Sequence, residues 1–171
     1  MSYKKKLAAV NTFIFDVDGV LTDGNVYLMR DEVVRALNSR DGYAIQHAVK
    51  RGYTIYVVTG GNSTAVRDRL LKQGVKEVFL QSKNKMEVYD KLSAQAALKD
   101  QQVLYMGDDI PDYAVMKRAG VAACPQDAAV EIKAIADYQS PYPGGKHCVR
   151  DVIEQTLRVQ GDWFGDDALE W

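Results

Sequence analysis

Five short apolar, β-prone runs recur along this chain, at residues 11–17, 54–58, 77–80, 103–106 and 121–123. Inside each run the apolar residues follow one another without polar alternation, the pattern of strands buried on both faces. Amphipathic stretches lie between them, at 43–50, 64–72, 85–97, 112–119 and 128–134, with a last one at 149–159 after the turn-rich Ser140-Pro141-Tyr142-Pro143-Gly144-Gly145. Gly52, Gly74 and Gly120 fall where the helices should stop. Strand–helix alternation of this kind predicts an α/β, Rossmann-like, three-layer fold with a central parallel sheet. At 171 residues and 47% hydrophobic content, the chain suits a single domain over 1–171 with a full core.

One segment interrupts the alternation. Residues 25–38 interleave Val26, Leu28, Val33 and Val34 with Tyr27, Arg30, Asp31 and Arg35. That spacing predicts a β-hairpin flap turning near Arg30-Asp31-Glu32. It would project over the carboxyl ends of the strands, where open α/β sheets bind ligands.

The chemistry-bearing residues cluster at those strand ends. Asp16 and Asp18 follow the apolar Phe13-Ile14-Phe15. Two carboxylates desolvated side by side repel and need neutralisation. A divalent cation supplies it, and Asp oxygens suit a hard one such as Mg²⁺. Thr59 closes the second run; its hydroxyl and the backbone N–H groups of Gly60 and Gly61 can cradle phosphate oxygens. Lys85 opens a helix after the third run, and Gly107-Asp108-Asp109-Ile110-Pro111-Asp112 follows the fourth with more carboxylates. Together these suit phosphoryl transfer. One carboxylate attacks phosphorus, a second exchanges the proton, and Mg²⁺, a Lys and backbone donors neutralise the charge.

Rival chemistries lack their residues. Neither Cys124 nor Cys148 begins a Cys-x₅-Arg loop, and no Walker A sequence occurs. Two cysteines make neither a disulfide framework nor a zinc site. A net charge of −1 gives no bulk attraction to nucleic acid or an anionic membrane. No apolar run spans a bilayer and no signal-peptide core follows the basic N-terminus, so the expectation is a cytoplasmic enzyme. A phospho-acceptor switch also carries a strand-end Asp, a Thr and a Lys. Its acidic pair comes early and its phosphorylated Asp later, the reverse of the order here.

Residues 16–24 (Asp16-Val17-Asp18-Gly19-Val20-Leu21-Thr22-Asp23-Gly24), Thr59, Lys85 and Gly107-Asp108-Asp109 resemble, in order, the four motifs of the haloacid dehalogenase superfamily. The resemblance implies a Mg²⁺-dependent phosphatase with Asp16 as nucleophile and Asp18 as general acid/base. It implies Asp16, the Asp18 carbonyl and Asp108 as metal ligands, Thr59 and Lys85 on the phosphoryl group, and Asp109 and Asp112 in support. Asp23-Gly24, the hairpin, Asn38-Ser39-Arg40-Asp41-Gly42-Tyr43 and Gly144-Gly145-Lys146…Arg150 are similar to the capless family that hydrolyses 3-deoxy-D-manno-octulosonate 8-phosphate (KDO 8-phosphate) in lipopolysaccharide precursor synthesis. That similarity implies substrate contacts from Asn38, Ser39, Arg40, Asp41, Gly42, Gly60, Arg69 and Lys146. It also implies a homotetramer in which a neighbour's hairpin and the C-terminal tail, about 160–171, close each site. A nine-carbon sugar acid phosphate is the alternative substrate.

The chain departs from its relatives at three places. Relatives often have Arg at the position of Gly61 and a basic residue at that of Gln46, and their tail reads Gly-Gly-x-Gly-Ala where His147 and Cys148 stand here. Elsewhere plainer roles are expected. Lys4, Lys5 and Lys6 read as a solvated tail, His47 as a surface or interface residue, and Cys124 as a small core residue. Trp163, Phe164 and Trp171 read either as packing on a neighbouring subunit or as part of a frayed end.

Overall fold

The computed structural model describes residues 2–170. A six-stranded parallel sheet is formed by β1 (Thr12–Phe15), β4 (Thr54–Val58), β5 (Glu77–Phe79), β6 (Val103–Met106), β7 (Val121–Cys124) and β8 (Tyr138–Gln139), in the spatial order β5-β4-β1-β6-β7-β8. The flap is a separate antiparallel pair, β2 (Tyr27–Leu28) and β3 (Val33–Val34), closed by the Met29 N–H donating to Glu32. Helices α1 (Tyr3–Leu7), α2 (Ser39–Lys50), α3 (Thr64–Lys72), α4 (Lys85–Ala96), α5 (Tyr113–Arg118), α6 (Val130–Ile135) and α7 (Cys148–Gln160) cover both faces.

Strand side chains alternate between two cores. Phe13 and Phe15, with Ile55, Val57, Leu104 and Met106, join Leu7 of α1, Ala44 and Ile45 of α2, Leu70 of α3 and Val152 of α7. Ile14, Tyr56 and Tyr105 point the other way, into Tyr89 of α4, Met116 of α5 and Ile132 of α6. Both faces of β1 are therefore covered, which is why its sequence shows no alternation. Burying each of these large side chains is worth about 1.5–3 kcal/mol.

The register aligns the strand ends. Phe15 lies opposite Val57 on one side and Met106 on the other. The Asp16 N–H then donates to the Met106 carbonyl, Thr59 N–H to Phe79 and Gly107 N–H to Ala123. The residues after β1, β4 and β6 thus emerge side by side at one edge.

Several expectations are corrected. Helix α2 begins at Ser39, four residues before the predicted start, because Asn38 caps it by accepting from the Arg40 and Asp41 N–H groups. Lys4, Lys5 and Lys6 belong to α1, which Leu7 buries and Tyr3 anchors by stacking on Tyr138 at 4.6 Å. Strand β8 was not expected. His47 is buried, stacked on Tyr43, with Nε2 3.2 Å from the Asp162 carbonyl.

The tail folds onto its own chain. Trp163 is buried, edge-on to Tyr43 and His47 and under the Arg150 guanidinium. Tyr43 OH donates to the Ala168 carbonyl, Tyr53 OH to Asp162, and Arg51 pairs with Asp167. Phe164 is exposed, and Trp171 lies outside the described residues. Among the described residues no helix is long and apolar enough to cross a membrane.

Candidate active site

Beyond β1 the chain makes a wide turn over Val17–Leu21, closed by the Thr22 N–H reaching back to Val17 at 3.0 Å. Gly19 lies in this turn at φ +84°, and a Cβ there would overlap the Asp108 carboxylate. Only glycine meets both demands. The turn splits the Asp16-x-Asp18 pair. Asp16 is buried, accepts from the Val17 N–H at 2.6 Å and meets Lys85 Nζ at 2.7 Å. Asp18 turns aside to Arg35 of the flap, whose Nε and Nη2 grip its two oxygens at 2.6 and 3.1 Å.

Lys85 opens α4 behind the Asn84 cap and bridges Asp16 to Asp112, 2.7 Å from each. Asp112 is fully buried and saturated. One oxygen takes Lys85 and the Tyr105 hydroxyl, the other the Asp108 and Asp109 N–H groups. It thereby orients Lys85 and shapes the loop that carries Asp108. Gly107 is needed beside it, since a Cβ there would overlap Asp112.

The electrostatics follow from burial. Desolvation pushes the Asp108 carboxyl up to about 7, with Asp16 and Asp112 adding repulsion and Lys85 opposing. Asp16 is raised to about 6 by desolvation and then by Asp112, again against Lys85. Burial works against the Lys85 ammonium, but Asp112 and Asp16 outweigh it and hold it above its ordinary range.

Carboxylate oxygens of Asp16, Asp108 and Asp112 lie within 4.8 Å of one another. Asp112 is engaged by its own partners, which leaves Asp16 and Asp108 as a facing pair of hard oxygen donors. Their shared excess of negative charge fits Mg²⁺. They open onto a cavity of about 490 Å³ that also holds Asp18, Thr59, Gly60, Gly61, Ser82, Lys83, Asp109 and Pro111. The Thr59 hydroxyl accepts from the Gly61 N–H at 3.1 Å, folding the glycine turn around itself.

An acidic pocket with one buried lysine and a Thr–Gly cradle, at the carboxyl edge of a parallel sheet, narrows the comparison with known proteins. Residues 70–153 match the haloacid dehalogenase-like hydrolase family. The 3-deoxy-D-manno-octulosonate 8-phosphate phosphatase KdsC of Escherichia coli K12 is 33% identical over 157 residues, covering 91% of this chain and 84% of that enzyme. The chain belongs to the KDO 8-phosphate phosphatase family of haloacid dehalogenase-like hydrolases. The crystal structure of the Yersinia pestis KDO 8-phosphate phosphatase is similar at a TM-score of 0.91 with 30% identity, over 94% of this chain and 87% of that one. That of the Moraxella catarrhalis enzyme, in complex with magnesium, phosphate and KDO, also scores 0.91 at 26% identity, over 97% and 94% of the two chains.

Against the other KDO 8-phosphate phosphatases, the departures in sequence acquire a structural setting. His147 adopts φ +81° at the start of α7, a left-handed conformation that favours glycine. Gly144 and Gly145 pack on the turn after Asp16. A Cβ on Gly144 would overlap the Gly19 carbonyl, and the Gly145 N–H donates to Val20 at 2.9 Å. Beside Gly61 lies Arg35, with Nη2 3.4 Å from where a Cβ would stand.

Asp16, Asp18, Thr59, Gly60, Lys85, Asp108, Asp109 and Asp112 share the cavity. The other expected substrate contacts do not line it. Asn38 caps α2 and donates to Gly145 at 3.3 Å. Asp41 is buried and accepts from the Arg150 N–H, and burial raises it to about 6. Gly42 packs on Gln73 of the next helix turn-off. Ser39 and Lys146 are exposed. Arg40 faces a separate recess with Tyr142 and His147, and Arg69 a third one, about 400 Å³, with Arg35 and Ser63. Ser82, Lys83 and Arg35 are site neighbours that sequence reasoning missed. The first two were findable from their place between the third strand and Lys85.

Proposed function

We propose that this chain hydrolyses KDO 8-phosphate to KDO and phosphate with Mg²⁺. The observation that carries the proposal is the Asp16–Lys85–Asp112 chain facing Asp108, in a protein whose relatives bear that activity in their names. KDO in the Moraxella enzyme supports a small phosphorylated sugar acid as substrate.

Asp16 is the nucleophile. Its oxygen attacks phosphorus, the bond from phosphorus to the sugar oxygen breaks, and that oxygen takes a proton from Asp18. Water then attacks the aspartyl phosphate, gives its proton to Asp18 and frees Asp16. Thr59, the Gly60–Gly61 turn and Lys85 hold the phosphoryl oxygens. Asp16, Asp108 and the Asp18 carbonyl would hold Mg²⁺, which when bound neutralises phosphoryl charge. Asp109 and Asp112 support the loop. Arg69 and Arg40, outside the cavity, are the candidates for the sugar-acid end.

The proposal includes a single domain, a cytoplasmic location and a homotetramer. The tetramer is supported by the exposed apolar surface of the flap, Val26, Tyr27, Leu28 and Met29, on an element too small to cover the cavity. Light scattering showing a fully active monomer would remove it. The activity is tested by phosphate release with Mg²⁺ from the eight-carbon acid, its nine-carbon counterpart and simple sugar phosphates. Preference for the eight-carbon acid is expected. Preference for the nine-carbon acid replaces the substrate, and a stable acyl phosphate without turnover replaces the enzyme by a switch.

A further inference from the structure

Arg35 follows β3 directly, on the returning arm of the flap. Its side chain is only 9% exposed although the flap around it is largely open to solvent. The guanidinium spends two of its nitrogens on Asp18, in a two-pronged grip on both carboxylate oxygens. The third, Nη1, is buried with no hydrogen-bond partner among the described residues. Burial that leaves a charged donor unsatisfied does not improve stability. What the pairing does supply is geometry: a planar fork fixes both the place and the plane of the carboxylate it holds.

The carboxylate it holds stands at the rim of the cavity. Asp18 is 36% exposed, so its open side faces the space where the substrate reacts, while Arg35 takes the opposite side from the recess it shares with Arg69. The pair thus ties a residue lining the one cavity to a residue lining the other. Gly61 borders it: Asp18 Oδ2 and Arg35 Nη2 lie 3.5 and 3.4 Å from where a Cβ would stand, within van der Waals contact.

We propose that Arg35 is a positioning residue for proton transfer, aiming the Asp18 carboxylate at the leaving oxygen and tying that aim to the docking of the flap. This rests on the role of Asp18 proposed above. It requires no contact between Arg35 and the substrate. The flap then acts on the chemical step through one ion pair, and a shift of the flap alters kcat before it alters substrate affinity.

The test compares two phosphate esters with Mg²⁺: glycerol phosphate, whose alkoxide leaving group needs a proton, and p-nitrophenyl phosphate, whose phenolate leaves without one. Wild type, Arg35→Ala, Arg35→Lys and Asp18→Asn are measured, with thermal melts to confirm folding. Arg35→Ala is expected to lower kcat on glycerol phosphate roughly 10- to 100-fold, within the range of a lost acid–base contribution, with KM little changed. First-turnover release of p-nitrophenol should be largely kept, Arg35→Lys should fall between, and added guanidinium should restore part of the Ala variant's rate. Equal losses on both esters, a loss confined to KM, or no loss would each overturn the proposal. The Asp18→Asn arm separates the two levels. If it shows the leaving-group dependence and Arg35→Ala does not, only the positioning role falls; if Asp18→Asn lacks it too, the assignment of Asp18 falls first.

Discussion

Gly19 faces the Asp108 carboxylate with no room for a side chain between them. The turn after Asp16 and the loop after β6 are therefore packed backbone to carboxylate, and the distance between Asp16 and Asp108 depends on that packing. Gly19→Ala should cost about 1–2 kcal/mol from its positive φ alone. It should also push Asp108 away and weaken Mg²⁺ binding by roughly 10- to 100-fold. Mg²⁺ titration of activity and calorimetry check this, and unchanged half-saturation would refute it.

Asp112 is expected to behave as a structural group with a catalytic consequence. Removing it leaves Lys85 buried with only Asp16, and strands the Tyr105 hydroxyl and two N–H groups. Asp112→Ala should lose about 3–5 kcal/mol of stability, the cost of breaking a buried pair. Asp112→Asn, which keeps the acceptor but not the charge, should lose less. Urea unfolding of both variants distinguishes them; equal losses would mean that the charge on Asp112 is irrelevant.

Mg²⁺ affinity should depend on pH. Desolvation raises Asp108 to about 7 and Asp16 to about 6, so each holds its proton more tightly in the folded chain than in the unfolded one. The folded state then binds more protons between roughly pH 4 and 7, and without Mg²⁺ the share of stability from these groups is greatest below that window and falls as pH rises through it. Asp41, raised by burial to about 6, adds in the same direction. Mg²⁺ requires the ionised forms, so its affinity should climb from about pH 5 through 7 and level only above about pH 8, with protons released on binding. Calorimetry in buffers of different ionisation enthalpy measures that release. A pH-independent affinity would contradict it.

Trp163 should matter for stability and not for chemistry. It lies under Arg150 and against Tyr43 and His47, away from the cavity residues. Trp163→Ala should cost about 3–5 kcal/mol while leaving kcat essentially unchanged. A fall in kcat with normal melting would show that the tail reaches an active site after all.

Residues 54–58, 103–106 and 64–72 read as β4, β6 and α3 to the residue, because buried strands and a capped amphipathic helix carry dense local signals. Strand β8 carries almost none. Two residues at a sheet edge need only one partner, and Tyr138 and Gln139 are recognisable as strand only once β7 is beside them. Helix α1 is five residues long, and Lys4, Lys5 and Lys6 conceal that Leu7 is buried. The acidic residues of the site were legible because motif order survives in one dimension. Arg35 was not: an alternating flap strand with one arginine does not say which carboxylate that arginine will meet. The stretch Asn38–Gly42 reads in sequence as a candidate substrate contact because of its polar residues. Its Asn and Asp are consumed by capping α2 and α7, a use that sequence spacing alone does not separate from ligand binding.

The sheet order has a consequence for biogenesis. The first sheet strand to leave the ribosome, β1, becomes the middle one, and its two partners, β4 and β6, arrive much later in the chain. Until Met106 has been translated, Phe13-Ile14-Phe15 has an unpaired edge, and its apolar faces still await α5, α6 and α7, which makes it a template for intermolecular pairing. The nascent chain is thus most in need of shelter during its first two-thirds, and Asp16 cannot be set in place before that period ends.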